Sequence, residues 1–192
     1  MIRGLYDWTF ALARHRRALW ALAIVSFVES SVFPIPPDIL MIPMIVAAPS
    51  RAFVIAATAT LASVLGGLAG YGIGMFLFDS VGQPVLAFYG KTDQFETFRT
   101  VYNNWGAWAV LIAGVTPFPF KVITILSGAT GLTLPVFVVA SMLARGLRFF
   151  VLAALLWKFG APIRDFIERK LGLMFTLAIL LLLGGFALVR YL

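Results

Sequence analysis

Two apolar stretches of this chain are each interrupted by closely spaced prolines, and this pattern limits what the chain can fold into. The interrupting residues are Pro34, Pro36, Pro37, Pro117 and Pro119. Because a proline inside a helix removes a backbone hydrogen bond and clashes with the preceding turn, each stretch is expected to form two short helices. In the first stretch, the arms 18–33 and 37–48 would be about 24 and 18 Å long, short of a hydrocarbon core of about 30 Å. We therefore predict a helical hairpin that enters a membrane and returns.

The amino-acid composition also indicates a membrane environment, and it excludes most classes of enzyme chemistry. With 61% hydrophobic and 12% charged residues, the chain is far more apolar than a water-soluble domain. It has no cysteine and a single histidine, His15, so thiolate chemistry and the common metal centres are excluded, and we expect no catalytic residue, metal or cofactor. The net charge of +7 is scattered around the apolar runs, which argues against a nucleic-acid partner.

The other segments complete an all-α polytopic membrane protein in a single membrane domain. The stretches 51–79, 134–159 and 172–190 are apolar and long enough to cross a bilayer, which predicts three full-length spans. The segments 1–17 and 83–106 mix charged and aromatic residues, as helices at the membrane interface do.

The two broken stretches align with each other. Val32, Pro34 and Pro36 correspond to Val115, Pro117 and Pro119 at one constant offset. Each hairpin is followed by a span, so 18–79 and 107–160 form two repeats whose hairpins must enter from opposite faces, an arrangement typical of transport proteins. The alternative is that 107–131 is one proline-kinked span, which would remove the inverted repeat.

Charge distribution predicts the orientation. The N-terminal side carries most of the basic residues, namely Arg3, Arg14, Arg16, Arg17, Arg51, Lys158, Arg164, Arg169 and Lys170. The opposite side carries Lys91, Arg99 and Arg190. The positive-inside rule therefore places the N-terminus in the cytoplasm.

Five ionisable residues lie inside the apolar segments, at Glu29, Asp38, Lys121, Arg145 and Arg148. Charge inside a membrane is costly and often marks a substrate or proton pathway, although an ion-pair network that only holds the helices together is the alternative. Arg145 and Arg148 lie one turn apart on one helix face, a spacing suited to carboxylate or phosphate. These three cations and two carboxylates have a net charge of one positive unit, which an anionic group such as a phosphate would neutralise.

Two further patterns concern helix termini and helix packing. Asp38 and Lys121 occupy equivalent positions just after the two breaks; an acidic residue is ordinary at a helix N-terminus, whereas a cation there favours an anion in front of it. The small residues Gly66, Gly70 and Gly74 recur at every fourth position and, with Gly128, are expected to let helices pack closely.

These motifs resemble the bacterial DedA family, in its YqaA-like branch. The similarity lies in FVESSVFPIPPD at 27–38, GGLAGYGIG at 66–74, TPFPFK at 116–121 and SG at 127–128. The resemblance implies the VTT-domain fold with two opposed re-entrant hairpins. It also implies lipid movement, notably of undecaprenyl phosphate or phosphatidylethanolamine, often linked to the proton gradient and envelope homeostasis in the bacterial inner membrane. It makes Glu29 and Asp38 the family's acidic pair and Lys121 its basic residue after the second break.

One position departs from the family pattern. Many members carry an arginine shortly before the second proline motif, where this chain has Gly114. Arg145 and Arg148 are expected to supply that charge from the neighbouring helix.

The resulting hypothesis is a flippase- or scramblase-like lipid translocase, with no enzymatic activity. Lys121, Arg145 and Arg148 would bind the headgroup phosphate, and Glu29 and Asp38 would take up protons. The alternative is a proton- or ion-coupled transporter of a small soluble solute; a lipid-modifying enzyme is a weaker third hypothesis. Membrane lipids and protons are the expected partners, and self-association into a homo-oligomer is left open.

Overall fold

A computed structural model describes residues 17–33, 35–116 and 118–160, and the regular structure of these residues is entirely helical. The α-helices are α1 (Ala18–Ser31), α2 (Asp38–Ala47), α3 (Ala52–Leu77), α4 (Gln83–Phe88), α5 (Thr92–Val115), α6 (Phe120–Ala129) and α7 (Leu134–Gly160). A 3₁₀ turn at Pro49–Arg51 precedes α3, and a π-helical turn at Phe78–Gly82 joins α3 to α4. The predicted all-α class is confirmed for this part of the chain.

Two helices are long and apolar enough to cross a membrane. One continuous helical stretch covers Pro49–Phe88 and the other is α7, each with a mean hydropathy of 1.9. They contain the spans expected at 51–79 and 134–159. The third expected span, 172–190, lies outside the described residues, as does the expected interfacial helix 1–17 except for Arg17.

The surface of the described bundle is apolar. Large apolar side chains stand exposed on several helices, including Trp20 at 73%, Phe76 at 71% and Leu143 at 59%. Monomeric soluble proteins rarely expose contiguous apolar patches of this kind, whereas lipid tails solvate them without cost. Together with the two long apolar helices, this surface indicates that the chain is a membrane protein.

Both proline-containing stretches are interrupted helices. α1 ends at Ser31 and α2 begins at Asp38, directly after Pro37. α5 ends at Val115, Thr116 is extended with a ψ of 166°, and α6 begins after Pro119. Pro34 and Pro117 lie outside the described residues. The stretch 107–131 is thus broken into two helices rather than bent as one.

The boundary expected at 106–107 does not coincide with a helix end. α5 runs without interruption from Thr92 to Val115, so the amphipathic segment from Thr92 onward and the first arm of the second broken stretch are one helix, while 83–88 continue the helical stretch that begins at Pro49. No proline lies between these residues, and Gly106 sits so close to Leu132 that a side chain at this position would collide with it. Close packing therefore accommodates the small residue that suggested a boundary.

Helix directions follow from the contacts. Phe27 lies against Gly66 and Ser30 against Gly70, so α1 and α3 run in the same direction. The rings of Phe53 and Trp157 are 5.9 Å apart, while Arg145 contacts Ser63, so α7 runs antiparallel to α3.

The second broken stretch reverses direction. α6 runs parallel to α3, because Gly70 lies against Thr124 and Gly74 against Ala129. α5 runs antiparallel to α6, because Arg99 and Asn103 both donate to the carbonyl of Thr130 at the far end of α6. The chain therefore turns back on itself at the break between Val115 and Phe120.

Two buried apolar clusters lie on either side of the breaks. One joins α1, α2, the start of α3 and the end of α7, and includes Leu22, Met41, Ile55, Phe149 and Leu156. The other joins α5, α6 and the start of α7, and includes Val110, Phe120, Ile123, Leu132 and Phe137. The polar groups of the breaks lie between these two clusters.

Candidate functional site

The site begins where the two breaks meet. Lys121, in the first turn of α6, donates from Nζ to the carbonyl of Val32 at 3.2 Å. One turn later, the Oγ1 hydroxyl of Thr124 lies 3.0 Å from the carbonyl oxygen of Ser30 and 2.9 Å from that of Lys121, and it shares its hydrogen between them. The last carbonyls of a helix have no partner within that helix, so side chains from α6 satisfy the end of α1.

Glycines on α3 allow this close approach. A Cβ on Gly66 would collide with the carbonyl of Phe27, and one on Gly74 with the carbonyl of Ile125. On Gly70 it would meet both the Thr124 side chain and the carbonyl of Ser30, the latter at 3.1 Å. The glycine stripe therefore lies against α1 and α6 at once and brings the two breaks together.

Gly128 belongs to the same helix contact. A Cβ on this residue of α6 would collide with the carbonyl of Tyr71 on α3. α3 and α6 therefore meet through a glycine on each side, Gly74 and Gly128. Such small-residue contacts let two helix backbones approach closely in a membrane.

Arg145 is the most deeply buried charged side chain of the described residues, with 2% of its surface exposed. Its Nη2 donates to Glu29 Oε2 at 2.6 Å, and its Nε donates to Ser63 Oγ at 2.6 Å. The guanidinium carbon also lies 4.8 Å from the ring centre of Phe120 and 4.6 Å from that of Phe149. This surrounding of carboxylate, hydroxyl and two aromatic faces compensates a charge in a water-poor place.

Two serines close a ring of hydrogen bonds around this ion pair. Ser30 donates from Oγ to Glu29 Oε2 at 3.0 Å, and Ser30 Oγ lies 2.6 Å from Ser63 Oγ. Because Ser30 uses its hydrogen on Glu29, Ser63 donates to Ser30 while accepting from Arg145. Glu29 thus receives two hydrogen bonds on one carboxylate oxygen.

Arg148 makes a second, more open ion pair. Its Nη2 donates to Asp38 Oδ2 at 2.7 Å, and its Nη1 donates to the carbonyl of Thr116 at 2.9 Å. The side chains of Arg148 and Asp38 are 25% and 23% exposed. Arg148 therefore ties the start of α2 to the end of α5, just as Lys121 ties α6 to the end of α1.

A cavity of about 130 Å³ lies between the two breaks. It is lined by Glu29, Pro36, Pro37, Phe118, Pro119, Lys121, Arg145 and Arg148. Its volume corresponds to about four liquid water molecules, so it has room for one small polar group and not for a whole lipid.

The charges around the cavity do not cancel. Arg145 and Arg148 each have a carboxylate partner, whereas Lys121 makes no ion pair with any of the described residues. It donates instead to the carbonyl oxygen of Val32, which carries no net charge. The site therefore carries one positive charge in excess when all five groups have their ordinary charge, which suits an anion.

The structure assigns the five predicted charges to different surroundings. It brings all of them to one place, and the two carboxylates neutralise the two arginines, as in the alternative of an ion-pair network. Arg145 and Arg148 do not form a shared two-guanidinium surface, because each is engaged by its own carboxylate. Within the described residues, no group of three His, Cys, Asp or Glu side chains could hold a metal ion.

The hydroxyl groups of this site were not among the residues predicted from the sequence. Ser30, Ser63 and Thr124 are fully buried and take part in its hydrogen bonds. A serine or threonine in a helix commonly bonds to its own backbone, as Ser31 does to the carbonyl of Phe27 at 3.0 Å. The residue type alone therefore could not have distinguished Ser63 from an ordinary helix serine.

The far end of α6 is held by a separate set of polar contacts. Tyr102 shares a hydrogen bond of 2.9 Å with Ser127, and Tyr71 donates to the carbonyl of Leu132 at 2.6 Å. Burial raises the pKa of Tyr102, and the bond to Ser127 opposes this rise only in part. The phenol is therefore neutral at physiological pH and serves as a hydrogen-bonding group.

The chain is similar in sequence to a known protein family and to two bacterial proteins. Residues 35–158 match the VTT domain, which covers more than half of the chain. An uncharacterized protein of Haemophilus influenzae is 36% identical over 168 residues, covering 85% of this chain and 87% of its own length. An uncharacterized protein of Histophilus somni is 38% identical over 168 residues, with the same coverage. No solved structure matches the chain.

The matched region begins within the first break and ends near the end of α7, so it includes four of the five site charges and both long apolar helices. On this evidence the chain belongs to the VTT-domain family, the DedA/SNARE-associated family of membrane proteins.

Proposed function

We propose that this protein is a lipid translocase that moves a phosphate-bearing lipid between the leaflets of the bacterial inner membrane. The observation that carries this proposal is the small cavity between the two breaks, where one positive charge, that of Lys121, has no carboxylate partner. A headgroup phosphate is small, anionic and able to accept several hydrogen bonds, which are the properties this cavity selects.

The proposal includes an inverted repeat of two re-entrant hairpins. α1 and α2 have 14 and 10 residues, and α6 has 10, so each is shorter than the bilayer core. The parallel course of α1, α3 and α6, with α5 and α7 running in the opposite direction, supports hairpins that enter from opposite faces. Their tips would then lie at mid-membrane, with 172–190 as a third span and the N-terminus in the cytoplasm.

Within this proposal the three cations have different tasks. Lys121 and Arg148 contact the phosphate, because both line the cavity and Arg148 keeps a quarter of its side chain exposed, so that a ligand can reach it. Arg145 also lines the cavity, but its Nε and Nη2 are held by Ser63 and Glu29. Arg145 is therefore mainly a positioning residue that adds charge to the site.

Glu29 and Asp38 are the proton-coupling groups of the proposal. A proton on either carboxyl cancels its charge and weakens its hold on Arg145 or Arg148. The released arginine can then follow the phosphate as the two repeats move relative to each other. Uptake and release of the proton on opposite sides would link lipid movement to the proton gradient.

A transporter of a small soluble anion is the second candidate. The cavity favours it in one respect, because about 130 Å³ is small compared with the roughly 300–1,000 Å³ of most organic-ligand sites. An inorganic anion would fit without an opening toward the acyl chains.

A reconstitution experiment separates these functions. Purified protein in proteoliposomes is assayed for movement of labelled undecaprenyl phosphate and phosphatidylethanolamine between leaflets, and the recovered lipid is analysed for chemical change. We expect Lys121→Gln to slow movement at least about tenfold, since a charge-assisted hydrogen bond contributes about 1.5–3 kcal/mol. The matched control is Lys91→Gln, at an exposed lysine outside the site.

Three other results would contradict the proposal. Equal rates for wild type and Lys121→Gln would remove the anion site from the mechanism. Entry of labelled inorganic phosphate without lipid movement would indicate the soluble-anion transporter. Hydrolysed lipid in the product would indicate an enzyme.

A further inference from the structure

We infer that the site selects a headgroup phosphate with a single negative charge, that is, a phosphodiester rather than a phosphomonoester. The inference rests on the lipid-translocase function proposed above and deepens it by naming the substrate class. It follows from the charge balance of the cavity and from the way each charged group is engaged.

Among the described residues, the ionisable groups at the cavity come from four helices. α1 contributes Glu29, α2 contributes Asp38 through its bond to Arg148, α6 contributes Lys121, and α7 contributes Arg145 and Arg148. Among the described residues, α3 contributes the uncharged hydroxyl of Ser63 through its bond to Arg145, and α5 contributes only the carbonyl of Thr116. The net charge that these groups offer a ligand is therefore a single positive charge.

Each of the two carboxylates is engaged in an ion pair. Glu29 is 12% exposed, and its Oε2 accepts bonds from both Arg145 and Ser30. Asp38 pairs with Arg148 at 2.7 Å at the start of α2, where the helix dipole also favours its negative charge. With both pairs intact, one negative charge on the ligand neutralises the site.

A phosphomonoester brings more charge than the site neutralises. It carries about −1.5 to −2 at pH 7, because its second pKa is about 6, whereas a diester carries one negative charge over the whole physiological range. An excess negative charge in the cavity would be repelled by the carboxylates of Glu29 and Asp38, and the burial of the Glu29–Arg145 pair strengthens this repulsion. The monoester must therefore enter with an extra proton, either on its own oxygen or on one of the carboxylates.

Because the monoester needs an extra proton, the rate of movement should favour the diester over the monoester by a measurable factor. If the monoester enters as its monoanion, the fraction of that form is about one tenth at pH 7 and about one hundredth at pH 8. We expect the diester to move faster by about these factors, and the preference to shrink as the pH falls toward about 6. The same direction results when the proton sits on Glu29 or Asp38, because either route takes up one proton.

Phosphatidic acid and phosphatidylmethanol with identical acyl chains form a suitable pair, since they differ by one methyl group and in headgroup charge. Both are measured in the same proteoliposomes at pH 6, 7 and 8, and the rate in protein-free vesicles is subtracted. The readout is the ratio of the two rates, which does not depend on how much protein is folded. The wild-type pH series therefore tests the inference without any variant.

Asp38→Asn provides an independent test in the opposite direction. This change raises the net charge of the site by one and should move the ratio at pH 8 toward phosphatidic acid by about tenfold or more. The conservative control, Asp38→Glu, keeps the charge and should retain the wild-type preference for phosphatidylmethanol. A ratio that is equal to one at pH 8 in the wild type, or the same in all three proteins, would overturn the inference while leaving the translocase proposal in place.

Failure of the proposed function itself gives a different result. If neither lipid moves at any pH in protein shown to be folded and reconstituted, the translocase proposal and the inference that rests on it both fall. Transport of dimethyl phosphate in vesicles that show no lipid movement would likewise overturn both and assign the charge selection to a soluble anion. Faster movement of the diester, with the expected pH dependence, would support both.

Discussion

At the scale of single residues, the described part of the chain places five charged groups together, but their burial and their partners differ. Arg145 is enclosed by a carboxylate, a hydroxyl and two aromatic rings, whereas Arg148 keeps a quarter of its surface exposed. Removing one partner of a buried ion pair lowers the free energy of unfolding far more than removing one from a solvated pair, because water cannot hydrate the remaining buried charge. The two arginines should therefore differ in what their loss does.

We predict that Arg145→Met destabilises the folded protein by about 3–5 kcal/mol, because it leaves the charge of Glu29 buried and unpaired. Arg148→Met should cost clearly less, since Asp38 is 23% exposed and water can reach it. The double variant Glu29→Gln with Arg145→Met should recover much of the loss. Unfolding of the detergent-solubilised proteins, followed by tryptophan fluorescence, measures all of these differences.

Equal losses for the two arginine variants would contradict this account of Arg145. A double variant as unstable as Arg145→Met alone would show that the cost does not come from the unpaired charge of Glu29. Either result would favour cavity formation beside Phe120 and Phe149 as the cause.

At the scale of helices, the glycine stripe of α3 decides how closely the two broken stretches approach. Gly74 packs against the backbone of α6 at Ile125, while Gly72 on the same helix has no other atom within 4 Å of where its Cβ would stand. These two glycines, two positions apart, differ only in what faces them. They form a matched pair for testing the contact.

We predict that Gly74→Ala destabilises the protein by about 1–3 kcal/mol, since the added methyl group must push α6 away from α3. Gly72→Ala should be neutral or stabilise by up to about 1 kcal/mol, because alanine restricts the unfolded chain and fits a helix better than glycine. Thermal unfolding in detergent measures both. A neutral Gly74→Ala would mean that α3 and α6 do not touch at this point.

Helix boundaries were largely predictable at this scale. The expected arms 18–33 and 37–48 correspond to α1 at Ala18–Ser31 and α2 at Asp38–Ala47. They were predictable because a proline interrupts a helix locally, within the turn that precedes it. The continuity of α5 across 106–107 was not predicted, because Gly106 was expected to end a segment. Inside the helix this glycine lies against Leu132, a contact that the sequence does not show.

At the scale of the whole molecule, the helix directions lead to a definite prediction about membrane sides. If 18–48 is a re-entrant hairpin, Arg17 and Ser50 lie on one side of the membrane. If the second broken stretch is also re-entrant, Asp93 and Thr133 lie together on the opposite side. All four residues are exposed, and the native chain has no cysteine, so single cysteine substitutions give an unambiguous signal.

We predict that Arg17→Cys and Ser50→Cys react with an impermeant thiol reagent only from the cytoplasmic side, and Asp93→Cys and Thr133→Cys only from the other side. Labelling in intact cells and in inverted membrane vesicles measures this. Opposite labelling of Arg17→Cys and Ser50→Cys would show that 18–48 crosses the membrane. Opposite labelling of Asp93→Cys and Thr133→Cys would show the same for the second stretch.

The sequence by itself determined the local features of this protein. They are the helical class, the two long apolar helices, the places where helices break, and the five charged residues within apolar segments. Hydropathy, proline sterics and the cost of buried charge act within a few residues of one another, so a linear pattern is enough to detect them. Only the tertiary structure decided which charge meets which. Glu29 and Arg145 are 116 positions apart, Asp38 and Arg148 are 110 apart, and neither spacing leaves a local pattern. Packing of α1 and α6 against the glycines of α3 brings the two breaks together, Ser63 joins Arg145 to Ser30, and Lys121 is the cation without a carboxylate among the described residues.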